Sequence, residues 1–415
     1  MTYGYPSSSS YVRRRGARSR AFGRDSVLWR MDWVLMGAVL ALAFVGALLV
    51  WSATKQRELD AGLDRQYFLK RHLINLIIGL GLGAAAMLLD YRMLRAYAPI
   101  VYVASILGLI VVLSPLGSTI NGAHSWIVLP AGLSIQPSEF AKVAIVLGVA
   151  MLLSERGEGR DEPSDVDVLQ VLALTAIPVG LIMLQPDLGT TIVIAFILLG
   201  MLAAAGVQAK WIIGLIVVAV VGAILAVQLG VLSQYQVARF ANFANPNGDT
   251  QGTGYNTTQA RIAIGSGGLF GKGLFNGTQT NGKFVPEQQT DFVFTVAGEE
   301  LGLIGAGLVI VLVALVLWRA VRIARLAEDT FGTLIAAGVV CWFAFQAFEN
   351  IGMTMGIMPV TGLPLPFVSY GGSSMFANMM AVGLLQNVYI RGGSSGPSGA
   401  SRASRAPRSR AVLSG

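Results

Sequence analysis

Long apolar runs alternate with short polar interruptions along the whole chain. A window of about 19 residues, the length that crosses roughly 30 Å of hydrocarbon at 1.5 Å per residue, predicts ten helical spans. They fall at 33–52, 72–90, 97–114, 138–154, 168–184, 190–206, 211–229, 292–318, 331–348 and 373–390. No alternation of the barrel type is present, and backbone polar groups in lipid must be satisfied within each segment. The pattern therefore predicts an all-α integral membrane protein, a bundle of ten transmembrane helices with a long extracytoplasmic loop between helices 7 and 8. The first apolar stretch is too long, and followed by too many others, to be a cleaved signal peptide.

Composition agrees: 54% of the 415 residues are apolar and only 13% charged, against roughly 25% charged in soluble domains. Residues 1–30 and 392–415 are basic, and their Ser/Arg/Gly-rich and Ser/Gly/Pro/Arg-rich stretches predict two disordered cytoplasmic tails around a membrane domain at 31–391. Much of the net charge of +8 comes from tail arginines, which are orientation signals before they are nucleic-acid contacts. Arg92 and Arg95, Lys210, and Arg319, Arg322 and Arg325 mark the loops predicted to lie inside with both termini. The acidic loop 155–167 follows that rule only through Arg156 and Arg160. Segments 53–71, 115–137, 185–189, 230–291 and 349–372 then lie outside. The single cysteine, Cys341, excludes an intrachain disulfide, and His72 and His124 lack the spacing of a metal site.

The unusual polar stretches all fall on the outer side, where they are expected to meet in one outward-facing cavity. An ionisable side chain within a membrane is costly and reads as functional by default. In "QPSEFAK", Glu139 and Lys142 stand at i, i+3, either as a structural ion pair or with Lys142 offered to a phosphate and Glu139 orienting it. In "QPDLGTT", Asp187 is either a helix N-cap or a site residue. Asp291, in "PEQQTDFVF", is either a cap favoured by the helix dipole or a general base toward a substrate hydroxyl. Glu287, Gln288, Gln289 and Thr290 make that entrance more polar than capping needs. Glu299 is predicted to share a face with Asp291, and a buried carboxylate such as Glu299 or Glu300 needs a partner or a proton. "GYNTTQARIAIGSGGLFGKG" does not match a nucleotide phosphate loop, because Ser266 and Gly273 occupy required positions; a re-entrant or surface amphipathic element is expected there. "SATK" at 52–55 is a chance match to a penicillin-binding motif.

Taken together, "NGTQTNGKFVPEQQTDFVFTVAGEELG", "AIGSGGLFGKG", "QPSEFAK", "QPDLGT" and "PVTGLPLPFVSYGGSS" resemble the SEDS family (shape, elongation, division and sporulation), across roughly residues 30–390. The stretch "NGTQT" is closer to RodA-like members. The resemblance implies a peptidoglycan glycosyltransferase that polymerises lipid II on the outer face of the bacterial cytoplasmic membrane for cell elongation and shape, beside a class B penicillin-binding protein. It places the family's essential aspartate on Asp291, its P-S-E glutamate on Glu139, its lysine on Lys142, its Q-P-D aspartate on Asp187 and its tryptophan on Trp126. His124 and Ser125 stand where many members have an arginine before that tryptophan. Glu287, Lys272, Ser369 and Tyr370 complete the expected substrate-binding set, with Gln136, Gln185, Thr290 and Glu300 in support. Lys142 or Lys272 is expected to stabilise a departing diphosphate. A divalent cation such as Mg²⁺ is compatible with that chemistry and leaves little sequence signature, with Asp291 as its candidate ligand. A lipid II transporter and a non-catalytic scaffold are the competing functions. Lipid II and membrane lipids are the other expected partners, and nucleic acid is not.

Overall fold

The computed structural model describes residues 27–392, apart from 63, 90, 121–122, 129–133, 156–161, 231–236, 238, 240–242 and 244–252. The remaining residues of both tails lie outside the described residues, as do Arg156 and Arg160.

Each predicted window but the eighth falls on a single helix: α1 (Trp33–Asp60), α2 (Tyr67–Leu88), α3 (Tyr91–Leu113), then β1 (Ser118–Ile120), β2 (Ala123–Val128) and β3 (Ser134–Ile135). There follow α4 (Pro137–Ser154), α5 (Asp165–Met183), α6 (Leu188–Ala204), α7 (Ala209–Gln228), α8 (Thr253–Ser266), α9 (Val293–Glu300), α10 (Gly302–Leu326), α11 (Thr330–Met355) and α12 (Gly372–Gly392). Among the described residues, eight helices are long and apolar enough to cross a membrane; α6 is shorter, at 17 residues. The tenth, α12, carries Ser373, Ser374, Asn378, Gln386 and Asn387 on buried positions. The chain is an integral membrane protein. The predicted eighth span divides into α9 and α10 at Gly302, whose φ is +68°, and a Cβ there would lie 2.3 Å from the Gly271 nitrogen. Only glycine allows both that conformation and that approach.

Hydrophobic patterning did not predict the small antiparallel sheet, ordered β1-β2-β3, in the loop before α4. Its strands are two to six residues long, too short for period-two alternation to register.

Close packing holds α12 along α2. A Cβ on Gly83 would lie 2.6 Å from the Met379 carbonyl oxygen, so the two backbones nearly touch. Asn387 Nδ2 donates to the carbonyls of Ala86 (2.9 Å), Met87 (3.0 Å) and Leu89 (2.8 Å), groups that a helix end leaves without internal partners. At the same end of the bundle, Arg319 Nε donates to Asp32 Oδ2 at 2.8 Å, while Asp32 and Gln386 exchange two bonds of 2.9 Å each. This clasp joins α1, α10 and α12. At the opposite end, the Gln136 N–H donates to Ser373 Oγ (2.8 Å) and the Tyr370 N–H to the Gln289 carbonyl (2.8 Å). The polar motifs therefore gather at one end, and Arg319 and Arg391 at the other. Helix α7 lies at the periphery, with none of its residues buried.

Candidate functional site

The segment preceding α9 is wound tightly, with the amides of Thr290, Asp291 and Phe292 all donating to the Glu287 carbonyl at 3.2, 3.1 and 3.3 Å. Phe292 is the N-cap of α9 and makes no side-chain cap bond, so the Asp291 carboxylate is not consumed in capping. Instead it points toward the loop 361–370. A Cβ built on Gly362 would lie 3.3 Å from Asp291 Oδ2 and 4.0 Å from Arg239 Nη2. Arg239 Nη1 donates to the Thr361 carbonyl at 2.9 Å, and the Thr361 hydroxyl donates to Glu349 Oε1. Asp291, Arg239 and Glu349 thus surround the Thr361-Gly362 turn. Burial, reinforced by the charge of Glu287, pushes the Asp291 carboxyl up to about 6, against the opposing pull of Arg239 and a hydrogen bond from Thr290. A carboxylate with that proton affinity suits general-base work near neutral pH.

Lys142 and Glu139 lie beneath the same loop, linked to it through Gln346. Lys142 is fully buried, donates to Glu139 Oε1 at 2.9 Å and to Gln346 Oε1 at 3.1 Å, and lies 4.6 Å over the Trp342 ring. Gln346 in turn donates to the Pro364 carbonyl at 2.8 Å. The ion pair with Glu139 is present, and the ammonium group has no exposed surface in this conformation.

Asp187 likewise acts as a cap, accepting from the Thr190 N–H (3.0 Å) and Thr190 Oγ1 (2.8 Å), yet it also binds Gln136 Nε2 at 3.1 Å and Ser138 Oγ at 3.3 Å. It ties α6 to α4. Two residues on, a Cβ at Gly189 would meet the Thr361 carbonyl at 3.3 Å. Gln185 is buried and donates to the Leu109 carbonyl at 3.1 Å. Trp126 is half-buried on β2 opposite Ser118, and His124 Nδ1 stands 3.0 Å from Thr119 Oγ1.

Ser369 Oγ accepts from the Leu365 N–H at 2.8 Å and closes the loop's second turn. The Tyr370 ring packs edge-on against Phe68 at 5.1 Å, and burial pushes its phenol up despite the neighbouring Arg71 guanidinium.

Lys272 and Glu300 belong to a different cluster. Lys272 donates to Glu299 Oε1 (2.8 Å), which also accepts from the Gln279 N–H (2.8 Å), while Glu299 Oε2 accepts from the N–H (2.9 Å) and hydroxyl (2.8 Å) of Thr280. Glu300 accepts from Ser52 Oγ at 2.7 Å and the Phe275 N–H at 3.1 Å. These two carboxylates fold the glycine-rich loop onto α9 and α1. Glu299 therefore finds its partners in that loop rather than beside Asp291. Helix α8, within the segment expected to be surface or re-entrant, packs on α9 and α11.

Sequence patterns missed Arg239, Gln346, Glu349 and Asn350, all of which converge on this loop. Glu349 and Asn350 did leave a signal, as adjacent polar residues at the end of an apolar run, but the predicted span stopped at 348. Among the described residues, no group of three or more His, Cys, Asp or Glu side chains is placed to hold an ion.

Residues 32–391 match the family model described as "Cell cycle protein", FtsW/RodA/SpoVE. The chain is 38% identical over 358 residues to a probable peptidoglycan glycosyltransferase FtsW of Trichlorobacter lovleyi, covering 86% of this chain and 92% of the relative. It is 36% identical over 361 residues to the peptidoglycan glycosyltransferase MrdB of Escherichia coli K12, covering 86% and 93%. Among solved structures it is similar to the RodA rod shape determining protein of Thermus thermophilus, with a TM-score of 0.63, 30% identity, and 86% and 96% coverage. It also matches a chain from a study of polymerization and crosslinking in a peptidoglycan synthase complex, with a TM-score of 0.72, 30% identity, and 88% and 99% coverage.

Proposed function

This chain belongs to the FtsW/RodA/SpoVE family of cell cycle proteins, and from that premise we propose that it is a peptidoglycan glycosyltransferase polymerising lipid II. The observation that carries the reading is the Asp291 carboxylate, free of capping duty, beside Arg239 and with its pKa raised to about 6. Asp291 takes the proton of the acceptor sugar's 4-hydroxyl as that oxygen bonds to the anomeric carbon of the donor N-acetylmuramic acid. The bond from that carbon to the undecaprenyl diphosphate breaks with inversion, and the diphosphate leaves as the anion. Arg239 is the cation nearest the base, and its guanidinium can stabilise negative charge on the departing group. Lys272, partly exposed and already bound to Glu299, is a more distant second cation. A divalent cation such as Mg²⁺ would neutralise charge on the diphosphate, with Asp291 as its candidate ligand.

The motif-bearing end of the bundle is taken to face outward, with both termini cytoplasmic, because Arg319, Arg391 and the other loop arginines gather at the opposite end. A class B penicillin-binding protein is the proposed partner, supported by the likeness to a chain from a synthase complex. A role in cell elongation rests on the RodA-like stretch "NGTQT". The test is purified protein, alone and with its cognate penicillin-binding partner, given labelled lipid II and inspected for glycan strands on a gel. Strands from wild type and none from Asp291→Asn support the proposal; no strands from any wild-type preparation, or equal strands from both, refute it.

A further inference from the structure

The break between α9 and α10 is filled by the glycine-rich loop, residues 267–273, which satisfies both helix ends. The amides of Leu303 and Ile304 donate to the carbonyls of Gly268 (2.9 Å) and Leu269 (3.2 Å). In the other direction, the amides of Lys272 and Gly273 donate to the carbonyls of Glu299 and Glu300, at 3.0 Å each. These are groups that helix termini otherwise leave unpaired. With its backbone engaged in this way, the loop turns an apolar tip outward. Phe270 is 79% and Leu269 59% exposed, and the adjoining first turn of α10 carries Leu303 at 64% and Ile304 at 59%.

The depth of this patch follows from two helices. At the far end of the bundle, Trp33 and Trp318 are exposed next to Asp32 and Arg319, as tryptophans are at a membrane interface. The Asp32–Arg319 clasp therefore marks one boundary of the hydrocarbon. Asp32 and Ser52 are 20 positions apart along α1, about 30 Å of helix, and Ser52 Oγ meets Glu300 Oε1 at 2.7 Å. Along α10, Gly302 and Arg319 are 17 positions apart, about 26 Å. A hydrocarbon core is about 30 Å thick, so the break lies at the opposite boundary. Irregular backbone is tolerated at that depth only where its polar groups are satisfied, which the four bonds achieve.

We propose that Leu269 and Phe270 insert into the acyl chains of the leaflet on the motif-bearing side, so that the glycine-rich loop is an interfacial anchor. Acyl chain is the occupant because the patch continues the exposed apolar face of α10, through Leu308 and Val311, and ends where the hydrocarbon ends. Since Lys272 and Gly273 hold the end of α9, the anchor also fixes the height of the helix that Asp291 precedes. The contact does not depend on Asp291 acting as a base.

The experiment places an environment-sensitive fluorophore on Phe270→Cys, and separately on Leu269→Cys, in the full chain carrying Cys341→Ala. Each is reconstituted into phosphatidylglycerol and phosphatidylethanolamine vesicles containing lipids with a nitroxide on the headgroup, high on the acyl chain or at its end. Asp64→Cys, in the turn beyond the end of α1, is the aqueous control, and a thermal scan confirms that each labelled variant is folded. Interfacial side chains reach about 5–10 Å into the headgroup and acyl boundary, so both loop labels should be quenched most by the nitroxide high on the chain and little by aqueous iodide. The control should show the reverse. Loop labels quenched by iodide as readily as the control overturn the proposal, because the tip then lies in water. Loop labels shielded from iodide and from every nitroxide overturn it as well, because another protein surface, such as a second copy, then covers the patch.

Discussion

Asn350 binds two carbonyls with one amide nitrogen, that of Asp291 at 2.8 Å and that of Leu363 at 2.7 Å. It thereby stitches the backbone of Asp291 to the loop that faces its side chain. Replacing Asn350 with Leu, close in volume, would leave two buried acceptors unpaired at about 1–3 kcal/mol each. We expect lower thermal stability in detergent together with a loss of glycan synthesis. A variant that kept both would show that the stitch is dispensable.

Asp291→Asn removes the proposed base while preserving shape. Polymerisation should fall by at least about 10²-fold, while the thermal transition and association with a penicillin-binding partner stay near wild type. Gel-resolved strand synthesis and co-purification check the two halves separately.

The raised pKa of Asp291 sets a direction for the pH profile. A base works only when deprotonated, so the rate should fall as pH drops through about 6, rather than near the ordinary value of about 4. Measured kcat/KM between pH 4.5 and 8 would test this. A plateau extending below pH 5 would contradict a raised pKa at this carboxylate.

The Lys142–Glu139 pair allows a cycle of variants that separates support from substrate contact. Breaking a buried pair at one partner costs about 3–5 kcal/mol, because it strands the other charge, whereas replacing both is milder. Lys142→Met alone should therefore unfold at markedly lower temperature than Lys142→Met with Glu139→Gln. If the double variant regains synthesis as well as stability, the pair acts through the Gln346–Pro364 link; a stable but inactive double variant would return Lys142 to the substrate.

The membrane helices were legible because burial in lipid imposes a length and a composition on each one independently of its neighbours. Asp291 was legible as well, since the polarity of "PEQQTD" exceeds what a helix start requires. Lys142 and Asp187 were legible only as alternatives, and geometry was needed to find the one buried beneath the loop and the other capping α6. Arg239 was invisible for a different reason. Its importance comes from a bond across 122 positions of sequence, and an ordinary arginine in a long loop bears no local mark of it. The division between α9 and α10 was hidden similarly, because Gly302 owes its conformation to the distant Gly271.

The clasp of Asp32 with Arg319 and Gln386 bears on how the protein is made. Its partners lie 287 and 354 positions apart, so at about 5–20 residues per second the ribosome needs on the order of tens of seconds to deliver Arg319 after Asp32 has emerged. Throughout that interval the first helix carries an acidic group whose eventual counter-charge does not yet exist. Assembly of the bundle must consequently close last where it began, and a nascent chain cut short before Arg319 should be left with an unlatched first helix and become a substrate for membrane quality control.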